Sequence, residues 1–144
     1  MIDCAKMSLS KRWPIGPLAG NFLTALDETD HRLFVGTRQP PHVLVLDSGT
    51  GNPIIKLGIA GDTDDLFFDA GRRQLYVSCG EGVLQVFREE KENQFRELAR
   101  IPTVHGARTS LMDSRSQRLF IAAPSNSANP FSAAVWVYQI NPRN

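Results

Sequence analysis

An all-β repeat fold is the architecture this sequence predicts, on three observations. A phrase returns three times, at Asp27–Thr37 (DETDHRLFVGT), Asp69–Cys79 (DAGRRQLYVSC) and Asp113–Ala123 (DSRSQRLFIAA), with the leading Leu always six residues after the Asp. The leading leucines are 42 residues apart from Leu33 to Leu75 and 44 from Leu75 to Leu119, which fits a repeat of roughly 40–50 residues, the size of one four-stranded propeller blade. The segments between are short apolar runs rich in Val, Leu and aromatics, separated by polar turn formers, the pattern of strands in hairpins. Together these predict a β-propeller arc of about three four-stranded antiparallel blades.

Each blade is assembled in the same order. A first strand precedes the repeated Asp, at Phe22–Leu26, Leu66–Phe68 and Ser110–Met112, and the Leu-aromatic-β-branched run is the second. A third superposes at His42–Asp47, Val83–Arg88 and Ala134–Gln139, and a fourth follows twice, at Pro53–Ile59 and Phe95–Thr103. The first and second strands are joined by ETDHR, AGRRQ and SRSQR, short polar segments suited to hairpins. Between the third and fourth, Asp47–Asn52 gathers turn formers with glycines able to take positive φ. In the next repeat Arg88–Asn93 is a mixed charge run that reads as a solvated outer turn.

The whole chain, 1–144, reads as a single partial propeller domain divided into blades at 22–65, 66–109 and 110–144, the last without its fourth strand. Residues 1–21 read as a partial blade, with Met1–Asp3 the end of a third strand and Ser8–Ile15 a closing fourth strand. Propellers usually close with four to eight blades, and a three-blade arc leaves apolar sheet faces in water, which soluble monomers avoid. The expectation is therefore either assembly with copies of itself, the Ser8–Ile15 strand of one copy completing the blade of another, or the C-terminal part of a longer propeller. The second is favoured because Met1 falls inside a blade.

With 42% hydrophobic and 22% charged residues the composition is that of a globular protein. A net charge of +1, from 16 basic against 15 acidic residues, gives no footprint for nucleic acid or an anionic membrane. No run approaches the roughly 18 apolar residues of a spanning helix. The first residues (MIDCAKMSLSKRWPIG) lack the apolar core of a secretory signal, so no signal peptide is read and the compartment stays open. Cys4 and Cys79 have no metal-type or redox-type spacing and read as two free or buried thiols.

Positions repeated in every blade hold the blade together, and positions peculiar to one blade are free for function. Asp27, Asp69 and Asp113 belong to the first kind, as caps of a hairpin entry; Phe34, Tyr76 and Phe120 recur at one packing slot. The connections between one blade's fourth strand and the next blade's first strand differ: one holds Asp62, Asp64 and Asp65, the other His105 and Arg108. Arg108 is suited to a carboxylate or phosphate, and the aspartates to hydroxyls, amines or a cation. The competing reading is that these charges pair with each other and tie blade to blade. Loops between second and third strands share that face, and Arg38, Glu81 and Asn126 there extend the candidate set. No metal is expected: Asp62 begins an EF-hand-like D-T-D-D, but its sixth position is Phe67 and its twelfth Arg73, where Gly and Glu are needed.

The segments RLFVGT…HVLVLDSGTGNPI and QLYVSCGEGVLQVF resemble the YVTN-type, YncE-like β-propeller repeat, and the likeness runs from about Phe22 to Ile140. The resemblance implies a seven-bladed parent about twice this length or more, of a kind often exported with a signal peptide. Activities in that family are mostly unassigned; some relatives bind nucleic acid or other ligands, and quinoprotein dehydrogenase subunits share the repeat. No nucleophile elbow, zinc-protease helix, phosphate-binding loop or dinucleotide fingerprint is present, and no catalytic residue or cofactor is assigned. The functional expectation is a non-enzymatic module presenting a polar rim to a partner protein or small polar ligand. The alternative is part of a propeller enzyme (a lyase, hydrolase or quinone-dependent oxidoreductase) whose site other blades complete.

Overall fold

The computed structural model describes residues 2–3, 8–126 and 132–140; Cys4 and the centre of the Pro124–Ser132 loop lie outside them. Thirteen strands form four antiparallel sheets among these residues, with no helix. A two-stranded ladder pairs β1 (Ile2–Asp3) with β2 (Ser8–Leu9). The first full blade is β3 (Leu23–Asp27), β4 (Arg32–Arg38), β5 (Pro41–Asp47) and β6 (Pro53–Gly58), paired in that order. The second is β7 (Thr63–Asp69), β8 (Gln74–Cys79), β9 (Val83–Lys91) and β10 (Gln94–Pro102). The third is β11 (Ser110–Asp113), β12 (Arg118–Ala123) and β13 (Ala134–Gln139). The three sheets stack face to face, with β3, β7 and β11 adjacent as the innermost strands of a propeller arc.

Alternation along the central strands assigns each sheet one face per neighbour. Phe34, Val43 and Val45 of blade 1 meet Leu66, Leu75, Val77 and Phe87 of blade 2 in one apolar layer. The opposite face of blade 2, with Tyr76, Leu84 and Val86, meets Leu119 and Ile121 of blade 3 in a second. The repeated aspartates cap the hairpins: Asp27 Oδ1 accepts from the Thr29 and Asp30 amides, Asp69 Oδ1 from Arg72, and Asp113 Oδ1 from Arg115. In all three hairpins the fifth residue of the phrase, His31, Arg73 or Gln117, takes the left-handed conformation, with φ of 51°, 53° and 57°.

Two expectations are corrected. The strand over Ser8–Ile15 is confined to Ser8–Leu9, because Pro14 and Pro17 cannot donate to a ladder and Gly16 turns at φ 68°. Ile15 and Leu18 instead pack on Val35, Leu44 and Leu46, covering part of the outer face of blade 1. The charge run Arg88–Asn93 is also not all turn. Strand β9 continues to Lys91, leaving Glu92–Asn93 as a two-residue connection with Asn93 at φ 57°. Glu89, within that run, is buried.

Its partner explains the burial. Arg32, 2% exposed, donates to Glu89 Oε1 at 2.6 Å and Oε2 at 2.9 Å, and to Asp27 Oδ2 at 2.7 Å. Its guanidinium carbon stands 5.5–5.7 Å from the centroids of Phe34, Phe68 and Phe95, within cation–π range. Blade 1 contributes Arg32, Asp27 and Phe34; blade 2 contributes Glu89, Phe68 and Phe95. Arg73 reinforces the rim of this cluster, pairing with Glu89 at 2.7 Å and Asp30 at 2.8 Å.

Removing one partner of a buried charge pair leaves the other uncompensated, so Glu89→Ala should destabilise the fold by about 3–5 kcal/mol in urea denaturation. An effect like that of a surface pair would refute the buried clamp. Burial pushes the Cys79 thiol up to about 12. In a Cys4→Ser background, labelling of Cys79 at pH 8 should therefore track unfolding. An unfolded thiol ionises near 8.5, so the unfolded chain sheds this proton first, and the contribution to stability present at neutral pH is lost as pH rises from about 9. Cys79→Ala should flatten that alkaline fall.

Candidate functional site

The connection between blades 1 and 2 and the start of β7 bring the predicted aspartates to the rim by two local devices. Asp62 takes φ 58°, a left-handed conformation that Asp tolerates better than most residues. Ladder pairing then runs Thr63 with Cys79 and Asp65 with Ser78, so Asp64 is the extra residue of a β-bulge. Bulges re-aim side chains; the corresponding pairs β3–β4 and β11–β12 run without one. Two glycines make the corner possible. A Cβ at Gly80 would run into the Asp62 carboxylate, and one at Gly61 into that of Glu81.

The result is a closed ring of alternating charge drawn from the first two blades and the connections that follow them. Arg38, at the end of β4, pairs with Asp64 and, at 3.3 Å, with Asp62. Arg108, in the connection leading into β11, pairs with Asp62 at 2.5 Å and with Asp64 through Nε at 2.8 Å. Arg38 Nε also donates to the Thr63 carbonyl at 3.0 Å, and its guanidinium lies 4.8 Å from the Phe22 ring centroid. The side chains of the four remain 27–41% exposed. The hydrogen bond from Arg108 to Asp62 holds that guanidinium more firmly protonated than usual.

The other predicted residues are placed differently. Asp65 points to the neighbouring blade, its Oδ2 accepting the Ser110 amide at 2.6 Å, and burial raises its carboxyl above the ordinary range against the pull of that bond. His105 is exposed, and among the described residues its ring makes no hydrogen bond or ion pair. Glu81 is exposed beside Gly61 without joining the ring, and Asn126 is exposed on the third blade. Among the described residues no three His, Cys, Asp or Glu side chains converge as metal ligands.

Below the ring an open groove of about 610 Å³ follows the innermost strands. Asp64 and Asp65 stand at its rim end, with Phe22, Thr24, Phe67 and Met112 along its walls. Phe22 and Gly80 belong to the site but carry no chemistry that sequence reasoning would select. The signal for Gly80 was present: it opens a loop of only three residues between strands, opposite an aspartate-rich corner.

No family model and no curated protein sequence matches the chain. Solved structures do. Hydrazine synthase of Kuenenia stuttgartiensis superposes at a TM-score of 0.79 with 13% identity, over 96% of this chain and 38% of that one. A chain of a nidogen/laminin complex gives 0.67 with 16% identity, over 90% and 48%. A gluconolactonase of Xanthomonas campestris gives 0.60 with 21% identity, over 90% and 40%. At such identities the likeness defines the fold, a β-propeller, and this chain spans less than half the length of each of these proteins.

The corner that holds Asp62 leaves no room for a side chain at position 80. Gly80→Ala should cost about 1–3 kcal/mol, the usual penalty for forcing extra volume into a packed site. Adding Asp62→Gly should recover part of that loss, since the clashing carboxylate is gone and glycine accepts the left-handed backbone. Denaturation midpoints of the two variants decide it, and equal midpoints would place the strain elsewhere.

Proposed function

We propose that this chain is a non-enzymatic propeller module of the YVTN type, an arc from the C-terminal part of a larger, seven-bladed propeller, whose rim binds a small polar ligand. The observation that carries the reading is the balanced ring of Arg38, Asp62, Asp64 and Arg108 at the mouth of the axial groove. Two cations and two anions sum to no net charge, so the ring has no preference for a simple ion. A ligand carrying an anionic group together with hydroxyl or amino donors can replace both halves at once, taking the arginine forks with its carboxylate or phosphate and the aspartates with its donors. Partial exposure leaves the four groups open to such exchange, and the recurring blades supply a rigid frame for variable loops.

A second reading has one observation of its own. Asp65, its carboxyl raised by burial at the groove, is the group there with the character of a proton acceptor, which suits the propeller enzyme completed by further blades. Its Oδ2 is occupied by the Ser110 amide, and that favours a bracing role.

Calorimetric titration with gluconate, glycine and inorganic phosphate tests the proposal. Gluconate or glycine, each combining an anionic group with donors, should bind in preference to phosphate, and Arg108→Ala should weaken binding by at least about tenfold, the loss of one charge-assisted contact. The same variant should lower the melting temperature less than Glu89→Ala does. Absence of saturable binding by all three probes, or binding indifferent to Arg108→Ala, would remove the rim as the site.

A further inference from the structure

The outer face of the third blade repeats, residue for residue, a face that is already docked elsewhere in the molecule. Asp113 pairs with Arg118 in the ladder as Asp27 does with Arg32. Phe120 sits opposite Val137 as Phe34 sits opposite Val45, and Ala122 opposite Val135 as Gly36 opposite Val43. In blade 1 this face is covered by blade 2, and Phe34, Val43 and Val45 are fully buried. In blade 3 Leu111, Val135 and Val137 are 62%, 66% and 56% exposed. Arg118 is exposed as well; it reaches the Gln139 amide oxygen at 3.4 Å, its charge also acts on the Asp113 carboxyl, and among the described residues no carboxylate lies within salt-bridge distance of it.

What docks on the blade 1 copy of this face is known in detail. Blade 2 presents Glu89 to the arginine and Phe68 and Phe95 to the aromatic slot. A second copy of this chain offers no equivalent. Ladder pairs Leu33–Leu46 and Leu75–Phe87 place Ser48 of blade 1 in the Glu89 slot and Leu26 in the Phe68 slot. That face of blade 1 is also partly covered by Ile15 and Leu18. Two third-blade faces meeting each other would bring no counterpart of Glu89 to Arg118, because neither copy of the face carries one.

We infer that the outer face of blade 3 is a docking surface for a further propeller blade that carries a carboxylate at the slot of Glu89 and an aromatic ring at that of Phe68. The inference rests on the reading of the chain as an arc of a larger propeller and is independent of the rim ligand. Charge complementarity at Arg118 sets the partner's register, and the apolar side chains supply its affinity.

The chain itself provides the probe. Asn144 stands as many residues after Gln139 as Asn52 does after Asp47. A copy of residues 53–104 joined to Asn144 therefore supplies a fourth strand for blade 3 and a blade-2 copy beyond it in the natural register. Against a control extended by residues 53–58 alone, the full extension should raise the melting temperature by roughly 5 °C or more and reduce binding of a hydrophobic dye. Converting the appended Glu89 copy to Arg should abolish the gain, and Arg118→Glu in that background should restore it. No gain, or a gain indifferent to the charge reversals, overturns the inference. So does a discrete dimer of the unextended chain by light scattering that Val137→Lys dissociates, which would give the face to a second copy. Failure of every rim probe to bind leaves these readouts unchanged, so the two proposals fall separately.

Discussion

The cation buried between the first two blades sets the terms for much of the rest of the fold. An arginine held out of water costs several kcal/mol unless nearly every donor is met, and Arg32 satisfies that demand only by recruiting both blades. Asp27, already a hairpin cap, supplies one carboxylate. Glu89 supplies the other from across the interface, and its carboxylate is held in place because Glu89 Oε1 also receives the Asn93 amide. Three phenylalanines from two sheets close around the guanidinium. The register of blade 2 on blade 1 is thereby chosen by geometry that greasy contact alone would leave loose, because slipping one strand by a residue would strand a charge in the core.

The rim uses the same chemistry under the opposite solvent conditions. Its four charges also join separate blades, but they stand in partial contact with water, where pairing is weak and screened by salt. One set of ion pairs therefore fixes the blades while the other remains exchangeable. That contrast comes from position: the clamp sits beneath the hairpin turns among aromatic rings, and the ring sits on connections whose corner geometry depends on a bulge and two glycines.

Strand identity and order were legible because each blade repeats the same alternation, and a motif present three times averages out the accidents of any one copy. The candidate charges at the rim were legible too, since Asp62, Asp64, Arg38 and Arg108 interrupt that repetition. That they pair with each other was among the sequence readings and is what the structure shows, but which carboxylate meets which arginine was not legible, because it depends on the bulge at Asp64, a one-residue irregularity with no composition of its own. Glu89 was misplaced for a related reason. Within Arg88–Asn93 it looks like its charged neighbours, and only the distant Arg32 makes it a core residue. Residues 10–15 failed as a strand because the prolines outweigh the apolar pattern around them.

The short N-terminal segment that lays Ile15 and Leu18 across blade 1 gives the arc a sense of direction. Of its two flanks, one is partly covered by the chain's own side chains, with Leu26 left open, and the other is presented as bare sheet. The two ends of the arc therefore differ in how much apolar surface a neighbouring sheet has to cover.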